Sequence, residues 1–435
     1  MNFVQFLSVI FTLGVFGREY WVLGQGNATV GSATKTTRPV NLFIINDDTN
    51  KVANKSVLSA IKTLKEKYPN YLGKIWTVLI NETDVNNTLD RICNTWDSAI
   101  ALSDGTVPDL VLDTTTAGLG AKVSNSFTAA LGIPTLSAQY GQEGDLPYWR
   151  NLNVDKRGYL IQVMPPADLV PEAIRHLAIQ LNVTNAAILY DDNFVMDHKY
   201  KSLLLNVPTR HVINEASQTV DDMKKQLLQL RDFDVVNYFI LGDENTINIA
   251  LEGAKSLNFT GRKYGWFILT LDEEIWPHCE CRNMSILFMK PIMKTEENRA
   301  MKAGLSRPFI LSAFYYDLVL LGIRTMKSAL DAGNWPLLPR HIKCDYYNNT
   351  NTPERKFDLL SKLKTTYDNM TSTYAEISWG KKNGEHQAKF DMSISMVRIE
   401  DGAITSKIDS GSWNASISNP LDVITFIYYT ILFPR

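Results

Sequence analysis

His278-Cys279-Glu280-Cys281 sets an imidazole, two thiols and a carboxylate in four consecutive positions, all of them metal-ligand types. A metal site needs three or four ligands that converge on one point, and adjacent loop side chains rarely do so unaided. The competing reading is covalent: Cys279 and Cys281 close a loop disulfide or pair with another chain. Thr114-Thr115-Thr116, followed by Ala117-Gly118, stands where a β-rich run opens onto a helical stripe. Hydroxyls and free backbone N–H groups there could hold a carboxylate, helped by the helix dipole; ordinary capping by threonine is the alternative. The acidic pairs Asp47-Asp48 and Asp191-Asp192 also follow β-rich runs, at the end where α/β sheets bind ligands. Loop residues and helix caps are their plain alternative.

Catalytic signatures are missing from the sequence. It contains no G-x-S-x-G elbow, no H-E-x-x-H pair and no P-loop, so nothing points to an enzyme or to a cofactor. Its 435 residues are 45% hydrophobic and 21% charged, with a net charge of −2. That is enough apolar material for two or three structural units. Neither charge sign forms a long run, so no footprint for nucleic acid or an anionic membrane is present. Small molecules or other proteins are the partners to expect.

The compartment is read from the first residues and from the asparagines. Residues 3–16 form an apolar run broken only by Gln5, Ser8, Thr12 and Gly14. It is shorter than the roughly 20 residues of a spanning helix and suits a signal-peptide core, with cleavage after Gly17 or Gly24. No Lys or Arg precedes it, which leaves a buried first strand or helix as the alternative. Acceptors of the Asn-x-Ser/Thr type occur at Asn27, Asn54, Asn81, Asn86, Asn182, Asn258, Asn283, Asn348, Asn369 and Asn414, and ten spread over the chain fit passage through the secretory pathway. The next most apolar stretch, residues 310–323, is interrupted by Asp317. An extracellular or cell-surface chain is expected.

The elements that would position these residues alternate between strand and helix. Residues 40–45 form a short β-rich run, and Val57, Leu58, Ile61 and Leu64 then recur at helical spacing. Residues 75–80 form a second strand, and Leu89, Ile92, Cys93, Trp96 and Ile100 mark one face of a second helix. Strands at 110–112 and 133–137 flank a third helix carrying Val123, Phe127 and Leu131. Such alternation implies a parallel sheet covered on both faces. A loop-rich span at 139–157 reads as a boundary, after which strands at 159–164, 186–190, 235–241 and 264–269 alternate with helices at 168–181, 220–230 and 247–257. A strand at 286–289, a long helix at 309–330, a helix from Thr352-Pro353 and a hairpin at 390–408 complete the series. Asp401-Gly402 between alternating apolar residues is a strong hairpin signal. Two doubly wound lobes are the economical architecture.

Several strings resemble a known family. Asp113-Thr-Thr-Thr-Ala-Gly118, Ala130-Leu-Gly-Ile-Pro-Thr-Leu-Ser-Ala138 and Ala186-Ala-Ile-Leu-Tyr-Asp-Asp192 are similar to the clamshell amino-terminal domains of ionotropic glutamate receptors. Gln162-Val-Met-Pro-Pro-Ala-Asp168, Val195-Met-Asp-His-Lys-Tyr-Lys-Ser202 and Phe288-Met-Lys-Pro291 resemble the co-receptor branch of the arthropod chemosensory ionotropic receptors. The resemblance covers residues 40–413. It implies a type I periplasmic-binding-protein-like α/β clamshell, two doubly wound lobes with three crossovers. The lobes it suggests are 39–155 plus 272–345 and 157–270 plus 368–410, with 346–367 as a connecting helix and 411–435 unassigned. Family members are tetrameric ligand-gated cation channels of sensory-neuron plasma membranes. In them this domain helps subunits fold, traffic and assemble as homo- or heterodimers through the first lobe. The family continues into a second clamshell, three membrane helices and a pore loop, so the chain as given is expected to carry no channel machinery. The resemblance also implies a disulfide between Cys93 and Cys344. It turns the loop of Thr114, Thr115 and Thr116, with Ser137 and Asp272, toward an interlobe cleft as candidate contacts for a small ligand. A soluble domain that closes on an amino-acid-like solute is the alternative function.

Overall fold

Short apolar β-rich runs build two sheets. A computed structural model describes residues 38–80, 85–101, 107–115, 118–139, 159–183, 185–194, 211–261, 263–292, 305, 307–336, 343–344, 357–370, 376–379, 386–414 and 421–423. Val40–Asp47 (β1) is buried along its whole length, as a parallel strand covered on both faces must be. It pairs in parallel with Leu72–Ile80 (β2) on one side and Leu110–Asp113 (β3) on the other. Thr135–Ser137 (β4) and Leu160–Met164 (β5) continue the sheet. The crossover helices are Lys51–Lys67 (α1), Val85–Ala101 (α2) and Gly118–Leu131 (α3). Asn50 caps α1 by accepting from the Ala53 N–H. Trp96 of α2 meets Phe43 of β1 and Phe127 of α3 edge-on, at 5.3 and 5.7 Å between centroids.

The second sheet repeats the pattern. After a 3₁₀ turn at Pro166–Leu169, the helix Val170–Gln180 (α4) leads to Ala186–Tyr190 (β6). There follow His211–Glu215 (β7), Val220–Asp232 (α5), Asn237–Leu241 (β8), Glu244–Ser256 (α6), Gly265–Leu269 (β9) and Met284–Pro291 (β10). The last part of the chain serves both lobes. Phe309–Asp331 (α7) and Leu359–Asp368 (α8) pack in the first lobe's core, and Glu376–Trp379 (β11) and His386–Lys389 (β12) extend the first sheet. Asp391–Glu400 (β13), Ala403–Asn414 (β14) and Leu421–Val423 (β15) add antiparallel strands to the second. The spatial orders are β11-β12-β5-β4-β3-β1-β2 and β15-β14-β13-β10-β9-β8-β6-β7. The chain crosses between the lobes three times: after β5, along α7, and at Phe390 between β12 and β13. These are the two α/β lobes that the alternation implied, in the clamshell order that the resemblance implied.

Helix α7 belongs to both lobes. Twenty of its 23 residues are buried. Phe309, Ile310, Leu311 and Ala313 pack in the second lobe's core, and from Phe314 onward its apolar residues pack in the first. Among the described residues it alone has the length and apolarity of a membrane span, and it is enclosed by protein.

Lobe membership differs from the expected boundaries in four places. The strand over 159–164 was assigned to the second lobe, yet β5 pairs with β4 and β12 in the first sheet. The strand over 286–289 was assigned to the first lobe, yet β10 lies between β9 and β13. Helix α8 is no connector: Leu359 and Leu363 are buried in the first lobe's core. Residues 376–389, placed with the second lobe, form β11 and β12 of the first. The cause is common to all four, because strand–helix alternation has the same pattern in either sheet and does not say where the chain crosses. Part of the unassigned tail also has a place, since 411–414 lengthen β14 and 421–423 form β15. Strand β7 had no counterpart in the sequence reading. The leader at 1–24 and the start of the Thr352-Pro353 helix lie outside the described residues.

The hairpin between β13 and β14 forms at Asp401-Gly402, with φ of 48° and 84°. Both values are positive, as a type I′ turn requires. Gly322 in α7 is needed for a different reason. A Cβ there would come within 2.8 Å of Leu110 Cδ2 and 2.9 Å of Leu136 Cδ1, so the helix rests directly on β3 and β4. Gly322→Val should destabilise the chain by about 1–3 kcal/mol through overpacking. Gly322→Ala should be near neutral, its helix-propensity gain of about 1 kcal/mol offsetting the crowding. Urea unfolding of the two variants checks both outcomes.

Candidate functional site

Four strands feed a common device at their C-terminal ends. Asp47 Oδ1 accepts from the Thr49 N–H at 2.9 Å, Asp113 Oδ1 from Thr115 at 2.9 Å, and Asp191 Oδ1 from Asn193 at 2.9 Å. Asp272 Oδ1 accepts from Glu274 at 3.0 Å. Each aspartate imitates a backbone turn two residues long and ends the extended run. All four are buried. Asp47 and Asp191, the first members of the two acidic pairs, therefore work as strand terminators together with Asp113 and Asp272, two in each lobe.

Asp113 is the centre of the first lobe's polar network. Besides the Thr115 N–H, it accepts from Thr115 Oγ1 at 2.6 Å, Ser124 Oγ at 2.8 Å, Ser137 Oγ at 3.3 Å and Gln139 Nε2 at 3.1 Å. Thr114 Oγ1 donates to Asn46 Oδ1 at 2.8 Å. Thr114, Thr115 and Ser137 are 0% exposed. This corrects their expected role: their hydroxyls turn inward and hold Asp113 and Asn46, leaving none directed at a cleft ligand. Thr116 lies outside the described residues. Burial raises the Asp113 carboxyl to about 6 against the lowering effect of its donors.

The second lobe holds a cavity of about 490 Å³ at the ends of β6, β8 and β9, within the size range of small-molecule sites. Asn193, Phe194, Asn248, Ile275 and the residues 242–245 and 270–272 line it, with Arg307 and Pro308 at its edge. Gly242 is required where β8 turns into α6, since a Cβ would lie 2.7 Å from Thr246 Cβ. Asp243 then caps α6 by accepting from the Thr246 N–H at 2.9 Å. The Asp243 N–H donates to Asp191 Oδ2 at 2.7 Å, and burial lifts the Asp191 carboxyl to about 6. Arg307 faces three carboxylates: Glu274 at 2.8 Å, Asp272 at 3.4 Å and Glu244 at 3.8 Å. A ligand carboxylate would have to displace those partners. The acidic excess suits an amine better.

Of the residues named from sequence, Asp272 reaches this cavity. Arg307, Asp243 and Asn193 were missed. The three carboxylates around Arg307 come from α6 and from the segment after β9, which no local motif brings together. Cys279 and Cys281 are bonded to each other, their Cα atoms 5.1 Å apart, and both are fully buried. His278 and Glu280 point to solvent, and Glu280 pairs with Lys255 at 3.2 Å. Among the described residues no three His, Cys, Asp or Glu side chains converge on a metal position. Cys93 of α2 is bonded to Cys344, with Cα atoms 5.4 Å apart, and the Cys344 N–H donates to Asp97 Oδ1 at 2.9 Å.

The sequons divide by environment. Asn54 lies within α1, with Nδ2 donating to the Asp47 carbonyl at 2.9 Å and Ser56 buried. The Asn54 side chain is itself half-buried, and a glycan there would replace one of its two Nδ2 hydrogens. Asn182 and Asn258 are exposed, with φ of 47° and 56°, the left-handed region that asparagine tolerates at helix ends. Asn283 and Asn369 are also exposed and Asn414 is half-buried. Asn27, Asn81 and Asn348 lie outside the described residues, as does the side chain of Asn86.

No family model matches the sequence. The chain is 38% identical over 421 residues to the Ionotropic receptor 25a of Drosophila melanogaster, a match covering 93% of this chain. That similarity supports an ionotropic receptor family. The chain spans 44% of that relative's length. The two-lobed α/β fold is consistent with the clamshell of ionotropic receptor amino-terminal domains.

The raised Asp113 carboxyl sets the sign of a pH effect. Its proton is held more tightly in the fold than in the unfolded chain, so its contribution to stability is complete below about pH 4 and declines as pH rises through about 6. The stability difference between the unaltered chain and Asp113→Asn should therefore shrink from pH 4 to 7, by at most about 3 kcal/mol. Chemical denaturation across that range measures it.

Proposed function

We propose that the chain is the extracellular amino-terminal domain of a chemosensory ionotropic receptor subunit of the co-receptor type. It acts in subunit assembly, trafficking and modulation of a ligand-gated cation channel, and it binds rather than catalyses. The similarity over 93% of the chain to an ionotropic receptor carries this reading. Its partners are other ionotropic receptor subunits, paired through the first lobe. A cleaved leader, cut after Gly17 or Gly24, and glycans on the exposed sequons would accompany its route to the cell surface.

Helices α2 and α3 are the proposed pairing face. Trp96 and Phe127 are core residues, 0% and 3% exposed, so the contact falls to their outer sides, where Arg91, Asn94, Ser98 and Ser126 face solvent. A stable pair would bury on the order of 1,200 Å² or more in total. Asn94→Glu with Ser98→Glu should weaken self-association in sedimentation runs and leave thermal unfolding unchanged. A domain that stays monomeric at high micromolar concentration would remove the pairing face.

The cavity beside Arg307 favours a second reading, in which the lobes close on a small solute. Its surplus of carboxylates makes that solute an amine rather than glutamate. Melting in excess butylamine and, separately, in excess glutamate distinguishes them, because saturation at 100 times Kd stabilises by about 2.7 kcal/mol. An upward shift with the amine alone is expected. No shift with either compound ends this reading.

A further inference from the structure

The most exposed large apolar side chain among the described residues is aromatic. Phe233 is 74% exposed, and its backbone holds it there. It follows α5 with its N–H donating to the Leu230 carbonyl at 3.1 Å. Asp234 comes next with φ of 60°, and the Val235 N–H returns to the same carbonyl at 3.1 Å. Leu230 and Val235 are buried, so this helix-ending turn fills its inward positions with them and turns Phe233 out. Asp232 and Asp234 on either side of it are exposed as well.

A glycan acceptor stands beside it. Helices α5 and α6 pack on the same face of the second sheet, where Leu227, Leu230, Leu251 and Ala254 share one core. They lead into β8 and β9, which are adjacent strands. Their ends are in contact, because the Arg231 guanidinium lies 5.9 Å from the centroid of the Phe259 ring. Asn258, next to Phe259, is exposed and opens the sequon Asn258-Phe259-Thr260. Its side chain has no hydrogen-bond partner among the described residues. In Asn54 and Asn369, by contrast, Nδ2 donates to a main-chain carbonyl at 2.9 and 2.8 Å. We propose that an N-linked glycan on Asn258 lies back over Phe233 and covers its ring. The proposal rests on the reading that the chain passes through the secretory pathway. A sugar ring presents C–H groups on one face, which pack on the electron-rich face of an aromatic ring, while its hydroxyls stay in water and keep the surface soluble.

The chain's own glycan is favoured over a second copy for a physical reason. A two-fold contact is self-complementary, so one centred on Phe233 would bring two Asp234 carboxylates together. Asp232 meets Arg231 at 3.4 Å, but Asp234 has no ion-pair partner among the described residues. Like charges facing each other across an interface are costly. The inner sugars of an N-glycan carry no charge. They are also tethered next to the ring, whereas a second copy must overcome the loss of translational and rotational freedom.

Hydroxyl-radical labelling, read residue by residue on the folded chain, tests the proposal. The chain is secreted from animal cells behind a leader taken from another protein, which keeps the result separate from whether it carries a leader of its own. Peptide mass mapping should find a glycan on Asn258. Thr260→Ala removes the acceptor signal and leaves Asn258 in its left-handed conformation, with φ of 56°. Labelling of Phe233 should then rise several-fold. Enzymatic removal of the glycans from the folded, unaltered chain should give the same rise without any substitution, and Asn283→Gln should give none. A bare Asn258, or equal labelling of Phe233 with and without the glycan, overturns the proposal. Labelling that falls with protein concentration and ignores Thr260→Ala gives Phe233 to a second copy and rejects it too.

Discussion

Burial of α7 is the constraint on which the two lobes depend. A helix buried at twenty of its 23 positions has to be surrounded, and neither lobe's core alone encloses its whole length. The chain therefore supplies partners from both cores, the second lobe's around Phe309–Ala313 and the first lobe's from Phe314 to Leu330. Gly322 lets the helix settle onto β3 and β4, and Asn50, at the start of α1, donates to Tyr315 Oη at 3.1 Å. The three crossings follow from this sharing. After β10 the chain returns to the first lobe along α7 itself. It returns again at Phe390 to place β13 and β14.

The strand-end aspartates give the molecule its second regularity. In a parallel sheet every strand must stop on the same side and turn into a helix, and four strands here stop with an Asx turn. The same buried carboxylates meet different surroundings in the two lobes. In the first, hydroxyls and a glutamine amide converge on Asp113, and the strand ends become a closed polar knot. In the second, Asp191 is held by backbone and amide donors, and Asp272 faces Arg307 across a cavity. One local solution thus yields a sealed network in one lobe and an open acidic pocket in the other.

What was legible in the sequence followed from patterns short enough to be local. The run at β1 could only be a doubly covered strand, and Asp401-Gly402 could only suit a tight hairpin. Lobe membership was invisible because it is decided by pairing across long separations. β5 and β10 look like any other strands until β12 and β13 arrive some two hundred and one hundred residues later. Strands β11 and β12 have four residues each, too few for a period to show. The threonines at 114 and 115 were recognisable as polar groups at a strand end, but type and spacing do not say which way a hydroxyl turns. That direction is set by the buried acceptors they meet, Asn46 for Thr114 and Asp113 for Thr115.

Arg307 joins the two regularities. Its guanidinium gathers carboxylates from α6 and from the segment after β9, and it stands two residues before the first helical residue of α7. It also lies over the Phe309 ring, 5.6 Å from the centroid, so the cation and the first buried side chain of the shared helix are in contact. A charge added to or taken from the cavity rim acts directly on Arg307. Arg307 cannot move far without Pro308 and Phe309, and Phe309 is packed in the second lobe's core. The cavity lining and the helix shared by the lobes are therefore joined through residues 307–309.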